Sequence, residues 1–113
     1  MKHIWLIDID GTICEDIPNE TPELFISAKP LPGALEKVLE LIGKGDEVCF
    51  FTARKREHAA VTERWLNKHG FPFSEVIYNK PRIKEGESYN WIDNKPVRAH
   101  FCPEGLKENS LND

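Results

Sequence analysis

The stretch His3-Ile4-Trp5-Leu6-Ile7-Asp8-Ile9-Asp10-Gly11-Thr12 decides how this chain folds. An apolar, largely β-branched run ends in two carboxylates one residue apart, followed by a glycine and a threonine. A strand that is apolar on both faces belongs inside a parallel sheet. A carboxylate within such a run is costly unless it is paired or holds a cation. The rest of the chain can therefore be searched for what an acid at a strand end requires.

At 113 residues, with 40% hydrophobic and 30% charged residues, the chain reads as one domain spanning residues 1–113. A net charge of -4 carries no basic footprint, so broad nucleic-acid binding is not expected. The three cysteines, Cys14, Cys49 and Cys102, are odd in number and widely spaced. They suit neither a disulfide framework nor a zinc site and fit a reducing compartment. The first apolar run is shorter than that of a signal peptide, and no run is long enough to span a bilayer. The expectation is a cytoplasmic protein without a membrane partner.

Outward from the opening stretch, Cys14 to Pro32 is a polar segment punctuated by Pro18, Pro22, Pro30 and Pro32. Its length marks it as functional or mobile, and Leu24-Phe25-Ile26 is the patch that would pin it. Leu35, Val38, Leu39 and Ile42 recur at helical spacing, and Gly43 and Gly45 end that helix. Glu47–Phe51 reads as a second buried strand, and Arg56–Lys68 as a second helix with Val61, Trp65 and Leu66 inward. Glu75–Tyr78 reads as a third strand and Ser88–Ile92 as a fourth. A short helical turn follows over Lys95–Phe101, then a polar, fraying tail from about residue 104. Alternating strands and helices imply an α/β fold: a three-layer, Rossmann-like parallel sheet with helices on both faces. In such sheets ligands bind beyond the carboxyl ends of the strands.

The four strand exits carry Asp8 and Asp10, Thr52, Lys80 and Asp93. Three carboxylates brought to one edge call for a cation, and hard oxygen ligands suit magnesium. A phosphoryl group beside it would find donors in Lys80, Thr52 and the backbone near Gly11 and Thr12. Asp8 is then a nucleophile able to form an aspartyl phosphate, and Asp10 a proton carrier. Taken singly, Thr52 reads as readily as a helix N-cap and Lys80 as a solvated lysine. Cys14 reads as buried filler, His58 as a surface residue, and Trp5, Trp65 and Trp91 as core. The basic start of the second helix, Arg54-Lys55-Arg56, runs against the helix dipole and hints at an anionic substrate or a solvated face.

These residues carry a resemblance. Asp8-Ile9-Asp10-Gly11-Thr12-Ile13 resembles the first motif of the haloacid dehalogenase (HAD) superfamily, in its phosphatase branch. Phe50-Phe51-Thr52-Ala53-Arg54 resembles the second, Asn79-Lys80-Pro81 the third and Trp91-Ile92-Asp93-Asn94 the fourth. The resemblance implies a HAD-like phosphatase using Mg2+, with Asp8 as nucleophile and metal ligand and Asp10 as general acid/base. The Asp10 main-chain carbonyl would also bind metal, and Asp93 would complete the shell. Thr52, Lys80, Gly11, Thr12 and Ala53 would hold phosphate, with Arg54 and Asn94 near the substrate or supporting the site. Many members carry a second acid where Asn94 stands, which implies weaker metal binding. Both insertion points are too short for a cap domain. A capless site implies either an exposed phosphate or cover from a second subunit, so a homo-oligomer is one expectation. A sugar or nucleotide phosphate is the favoured substrate class. The alternatives are a phosphorelay receiver-like domain and a non-catalytic phosphate- or metal-binding module. A receiver's lone phosphoacceptor is missing, since the second strand exits in Thr52.

Overall fold

The computed structural model describes residues 2–108, 110 and 111. Three strands, β1 (Ile4–Ile7), β2 (Glu47–Phe51) and β3 (Glu75–Ile77), lie parallel in the order β1-β2-β3. Helix α1 (Ala34–Gly43) joins the first pair and α2 (Ala59–Lys68) the second. In register, Ile7 stands beside Phe50, and Phe51 beside Ile77. Asp8, Thr52 and the residues after Ile77 therefore leave the sheet at the same edge. The α/β fold with a parallel sheet is the one expected.

Side-chain alternation explains where the core sits. Ile7, Val48 and Phe50 share one core cluster with Val38 and Leu41 of α1 and Trp65 and Leu66 of α2, and Trp5 and Val76 pack against it. The other sheet face carries Ile4 and Leu6, both exposed, with Cys49 and Phe51 beside them. The helical layer thus covers one face, because residues 81–101 contribute no helix to the other. The buried face of α1 centres on Ala34, Val38 and Leu41, one step round from the expected stripe, which leaves Leu39 exposed. A 3₁₀ turn, Arg56–His58, precedes α2, so the α-helix starts later than Arg56.

The long Cys14–Pro32 segment is tied down along its length. Its two arms bond to each other and to the first turn through Glu15 N–H to the Lys29 carbonyl (3.0 Å) and Leu31 N–H to the Ile13 carbonyl (2.9 Å). The Trp65 indole donates to the Ala28 carbonyl at 2.8 Å, and Trp65 itself stacks on Phe71. Phe25, inside a 3₁₀ turn over Pro22–Ser27, is fully buried. Burying a ring of that size contributes about 2–3 kcal/mol.

Three expectations for the C-terminal part are corrected. Ser88–Ile92 forms no strand, and Trp91 (55% accessible) and Ile92 (98%) face outward instead of joining the core. Among the described residues β1 pairs only with β2, so the apolar run finds no ladder. Its polar groups bond locally instead: Asn90 donates to the Ser88 carbonyl and hydroxyl, and the Trp91 indole to Asp93. Local side-chain bonds of this kind compete with strand pairing. The segment Lys95–Phe101 is likewise not helical. The tail does not simply fray from 104: Leu106 is buried and its N–H donates to the Thr12 carbonyl at 2.8 Å. Residues 109, 112 and 113 of that tail lie outside the described residues.

Candidate active site

β1 ends at Ile7, and the chain then turns sharply over the next five residues. Thr12 N–H and Ile13 N–H both donate to the Ile9 carbonyl (3.0 and 2.9 Å), and Gly11 takes a positive φ of 82°. A side chain there would be strained, which is why glycine follows the second acid. The turn also engages two backbone amides that were expected to meet phosphate. Gly11 N–H donates to the Cys14 carbonyl at 2.9 Å, and Thr12 N–H is used as above, so neither amide is left free for a ligand.

The turn presents Asp8 to a cleft of about 340 Å³. Asp8 Oδ2 accepts the Thr12 hydroxyl at 3.0 Å, and Oδ1 lies 3.7 Å from Lys80 Nζ. Burial pushes the Asp8 carboxyl above the ordinary carboxylate range, although Lys80, Thr12 and the Ile9 N–H pull the other way. An anion held short of full stabilisation is what a nucleophile requires. Lys80 reaches it because the ladder continues past β3. Asn79 N–H donates to the Arg54 carbonyl and Lys80 N–H to the Thr52 carbonyl, with Asn79 at a φ of 64°. Asparagine is among the few residues that tolerate this left-handed conformation. The Lys80 ammonium also lies 4.6 Å from the Tyr89 ring centre, and the Tyr89 hydroxyl donates to the Pro81 carbonyl.

Asp10 also lines the cleft, but its carboxylate is turned toward Arg54. Arg54 Nε donates to Oδ2 at 2.9 Å and Nη2 to Oδ1 at 2.7 Å, a two-point grip. Arg54 is fully buried; Nη1 donates to Thr62 Oγ1 at 3.2 Å, and the guanidinium lies 3.8 Å from the Phe25 ring centre. The basic loop between β2 and α2 thus sends one cation inward, and Phe25 meets that cation. Cys14 Sγ sits 3.8 Å from Asp10 Oδ1; burial, then Asp10, pushes its thiol up to about 12, in keeping with an inert filler. Thr52 is buried, and its Oγ1 accepts the Arg54 N–H at 3.1 Å, so the hydroxyl organises the β2 exit. Ala53 lines the cleft, and its carbonyl accepts Asn19 Nδ2 at 2.9 Å.

Asp93 and Asn94 do not line this cleft. The Asp93 carboxylate accepts the Trp91 indole N–H (3.0 Å) and the Lys95 N–H (3.1 Å), which hold it below the usual carboxylate range. Among the described residues, no group of three or more His, Cys, Asp or Glu side chains is gathered to hold a metal ion. The donor chemistry at Asp8 and Asp10 still fits magnesium, which commonly takes one or two carboxylates and fills its octahedron with water and phosphate oxygens.

Asp16, Asn19, Arg82 and Tyr89 line the cleft without having been expected there. Arg82 directly follows the third motif, two residues after Lys80, and Asp16 follows Gly11 by five, so proximity to a motif was the available signal. Tyr89 had none, because it reaches the cleft only when Ser88–Ile92 is not a strand.

No family model matches the chain. It is 41% identical over 79 residues to a Bacillus cereus protein named "Putative nucleotidase", covering 68% of this chain and 40% of that protein. A protein of the same description from Oceanobacillus iheyensis is 35% identical over 84 residues, covering 66% and 45%. The chain thus spans less than half the length of these curated relatives. Among solved structures, a Vibrio cholerae protein is similar with a TM-score of 0.61 at 22% identity, over 85% of this chain and 83% of that one. The D,D-heptose 1,7-bisphosphate phosphatase of B. bronchiseptica, solved with magnesium and phosphate, is similar with a TM-score of 0.52 at 15% identity, over 74% and 53%. With its parallel sheet and these neighbours, the chain has a HAD-like α/β fold.

Proposed function

We propose that this protein is a magnesium-dependent phosphatase that hydrolyses small phosphomonoesters through an aspartyl phosphate on Asp8. The observation that carries this reading is the Asp8 carboxylate, raised by burial, bonded to Thr12 and 3.7 Å from Lys80 at the mouth of a cleft. One Asp8 oxygen attacks phosphorus as the ester P–O bond breaks, and Asp10, as the acid, gives its proton to the departing oxygen. Asp10 then takes a proton from water, whose oxygen bonds to phosphorus and frees Asp8 and inorganic phosphate. Lys80 and Arg82 supply positive charge to the phosphoryl oxygens. Asp8 and the Asp10 carbonyl are the groups proposed to hold magnesium, with Asp16 in the same cleft. Bound there, the ion would screen the charge between phosphate and nucleophile.

Nucleoside monophosphates lead among the substrates, supported by the relatives named as nucleotidases and by Tyr89, an aromatic face beside the cleft. No helix among the described residues is long and apolar enough to cross a membrane. A panel of nucleotide, sugar and aryl phosphates, assayed with and without magnesium, tests the reading. Magnesium-dependent release of phosphate is expected. No turnover on any ester overturns it in favour of a phosphate-binding module, and persistent stoichiometric labelling by acetyl phosphate favours a receiver-like role.

A further inference from the structure

Arg54 is the one fully buried arginine of the chain among the described residues, and its only acidic partner is Asp10. Each nitrogen of its guanidinium donates one bond: Nε and Nη2 to the two Asp10 oxygens, Nη1 to Thr62. Its flat face is covered by Phe25 at 3.8 Å. It does not line the cleft, so it is not a phosphate ligand. A carboxylate offers about four lone-pair sites, and the fork takes one on each oxygen. The remaining sites can hold the transferable proton, because Asp10 still borders the cleft.

We propose that Arg54 is a positioning residue for proton transfer: it fixes the Asp10 carboxyl toward the leaving oxygen, and Phe25 makes that alignment depend on the docked Cys14–Pro32 segment. The proposal rests on the phosphatase reading. The fork fixes both the swing and the tilt of the carboxyl plane, which a single point charge cannot do. Phe25 arrives from the segment's 3₁₀ turn and also meets His58 edge-on at 5.7 Å, so one ring bridges that segment and the approach to α2. A merely structural ion pair would slow every substrate alike. A pair that aligns the acid matters most where the departing oxygen needs a proton.

The experiment compares kcat/KM, which reports the first transfer step, for phenyl phosphate and 2,4-dinitrophenyl phosphate. Phenoxide is a poor leaving group that needs the proton; dinitrophenoxide departs without it. Arg54→Gln is expected to lose about 10²-fold on phenyl phosphate and only a few-fold on the dinitrophenyl ester, in the range general acids supply. Arg54→Lys keeps the charge without the fork, and it should show the same split. Phe25→Leu, which keeps the core filled, should show a smaller split in the same direction and keeps the test open if Arg54→Gln does not fold. Equal losses on both esters in the folded variants, or no loss, would overturn the positioning role while leaving the phosphatase reading intact. Wild-type protein inactive on these esters and on every nucleotide, sugar and aryl phosphate of the panel would instead sink the phosphatase reading and this inference with it.

Discussion

The segments ending in Asp8 and Asp93 are nearly the same sentence in sequence and opposite things in structure. Ile4-Trp5-Leu6-Ile7-Asp8 and Tyr89-Asn90-Trp91-Ile92-Asp93 each run apolar residues into a carboxylate. The first pairs along its whole length with β2, and its acid meets the hydroxyl of its own turn and an ammonium from a distant strand exit. The second has no ladder, and its acid bonds to its own neighbours, Trp91 and Lys95. An apolar run is permission to be a strand; the partner edge decides. Burial by the folded chain around it, rather than the motif itself, is what pushes the Asp8 carboxyl up.

The largest expected effect follows from Asp8. Asp8→Asn should abolish turnover, by about 10⁴-fold or more, as removal of a nucleophile does. The same change should raise the melting temperature at neutral pH. Burial raises the folded-state pKa above that of an ordinary aspartate, about 3.9, so the folded state binds the proton more tightly than the unfolded one. Asp8 therefore costs stability progressively as pH rises from about that value through its folded pKa, and the asparagine is spared the cost. A thermal melt against pH checks both parts. An unchanged melting temperature would mean that the acid is no more strained than Asp93.

Next in size is Phe25→Ala, expected to destabilise the fold by roughly 3–5 kcal/mol, since it empties a fully buried site against Arg54 and His58. Urea unfolding measures it. A loss below about 1 kcal/mol would mean that the Cys14–Pro32 segment is as loosely held as residues 81–101. Lys80→Met follows, with kcat/KM down by about 10²–10³-fold and little change in stability, because the ammonium faces the cleft where the proposed mechanism puts the transferring group.

How much of this was legible in the sequence depends on how far each feature reaches. The Asp8–Thr12 bond closes within one turn, and three of the four motif exits fall where alternating strands and helices put them. The Arg54–Asp10 fork joins residues 44 apart, and nothing in Thr52-Ala53-Arg54 distinguishes an arginine turned inward from one facing substrate. Phe25 was visible as an apolar patch but not as a cover for a cation. The engaged amides of Gly11 and Thr12 could not be read from a motif that names residues rather than hydrogen bonds. Trp91 misled because its neighbours look like a buried strand, and burial belongs to the partner as much as to the run.

The smallest expected effects are at Asp93, and they test the comparison from its weaker side. Its carboxylate closes a local turn among exposed residues, so Asp93→Asn should change stability by no more than about 0.5 kcal/mol. With Asp93 outside the cleft, the magnesium concentration for half-maximal activity should shift by less than about threefold, the span of a surface electrostatic term. Titrating magnesium against activity in both proteins gives the answer. A shift of tenfold or more would mean that the cation draws residues 81–101 onto the free side of β1, giving Asp93 the long-range partners that Asp8 already has.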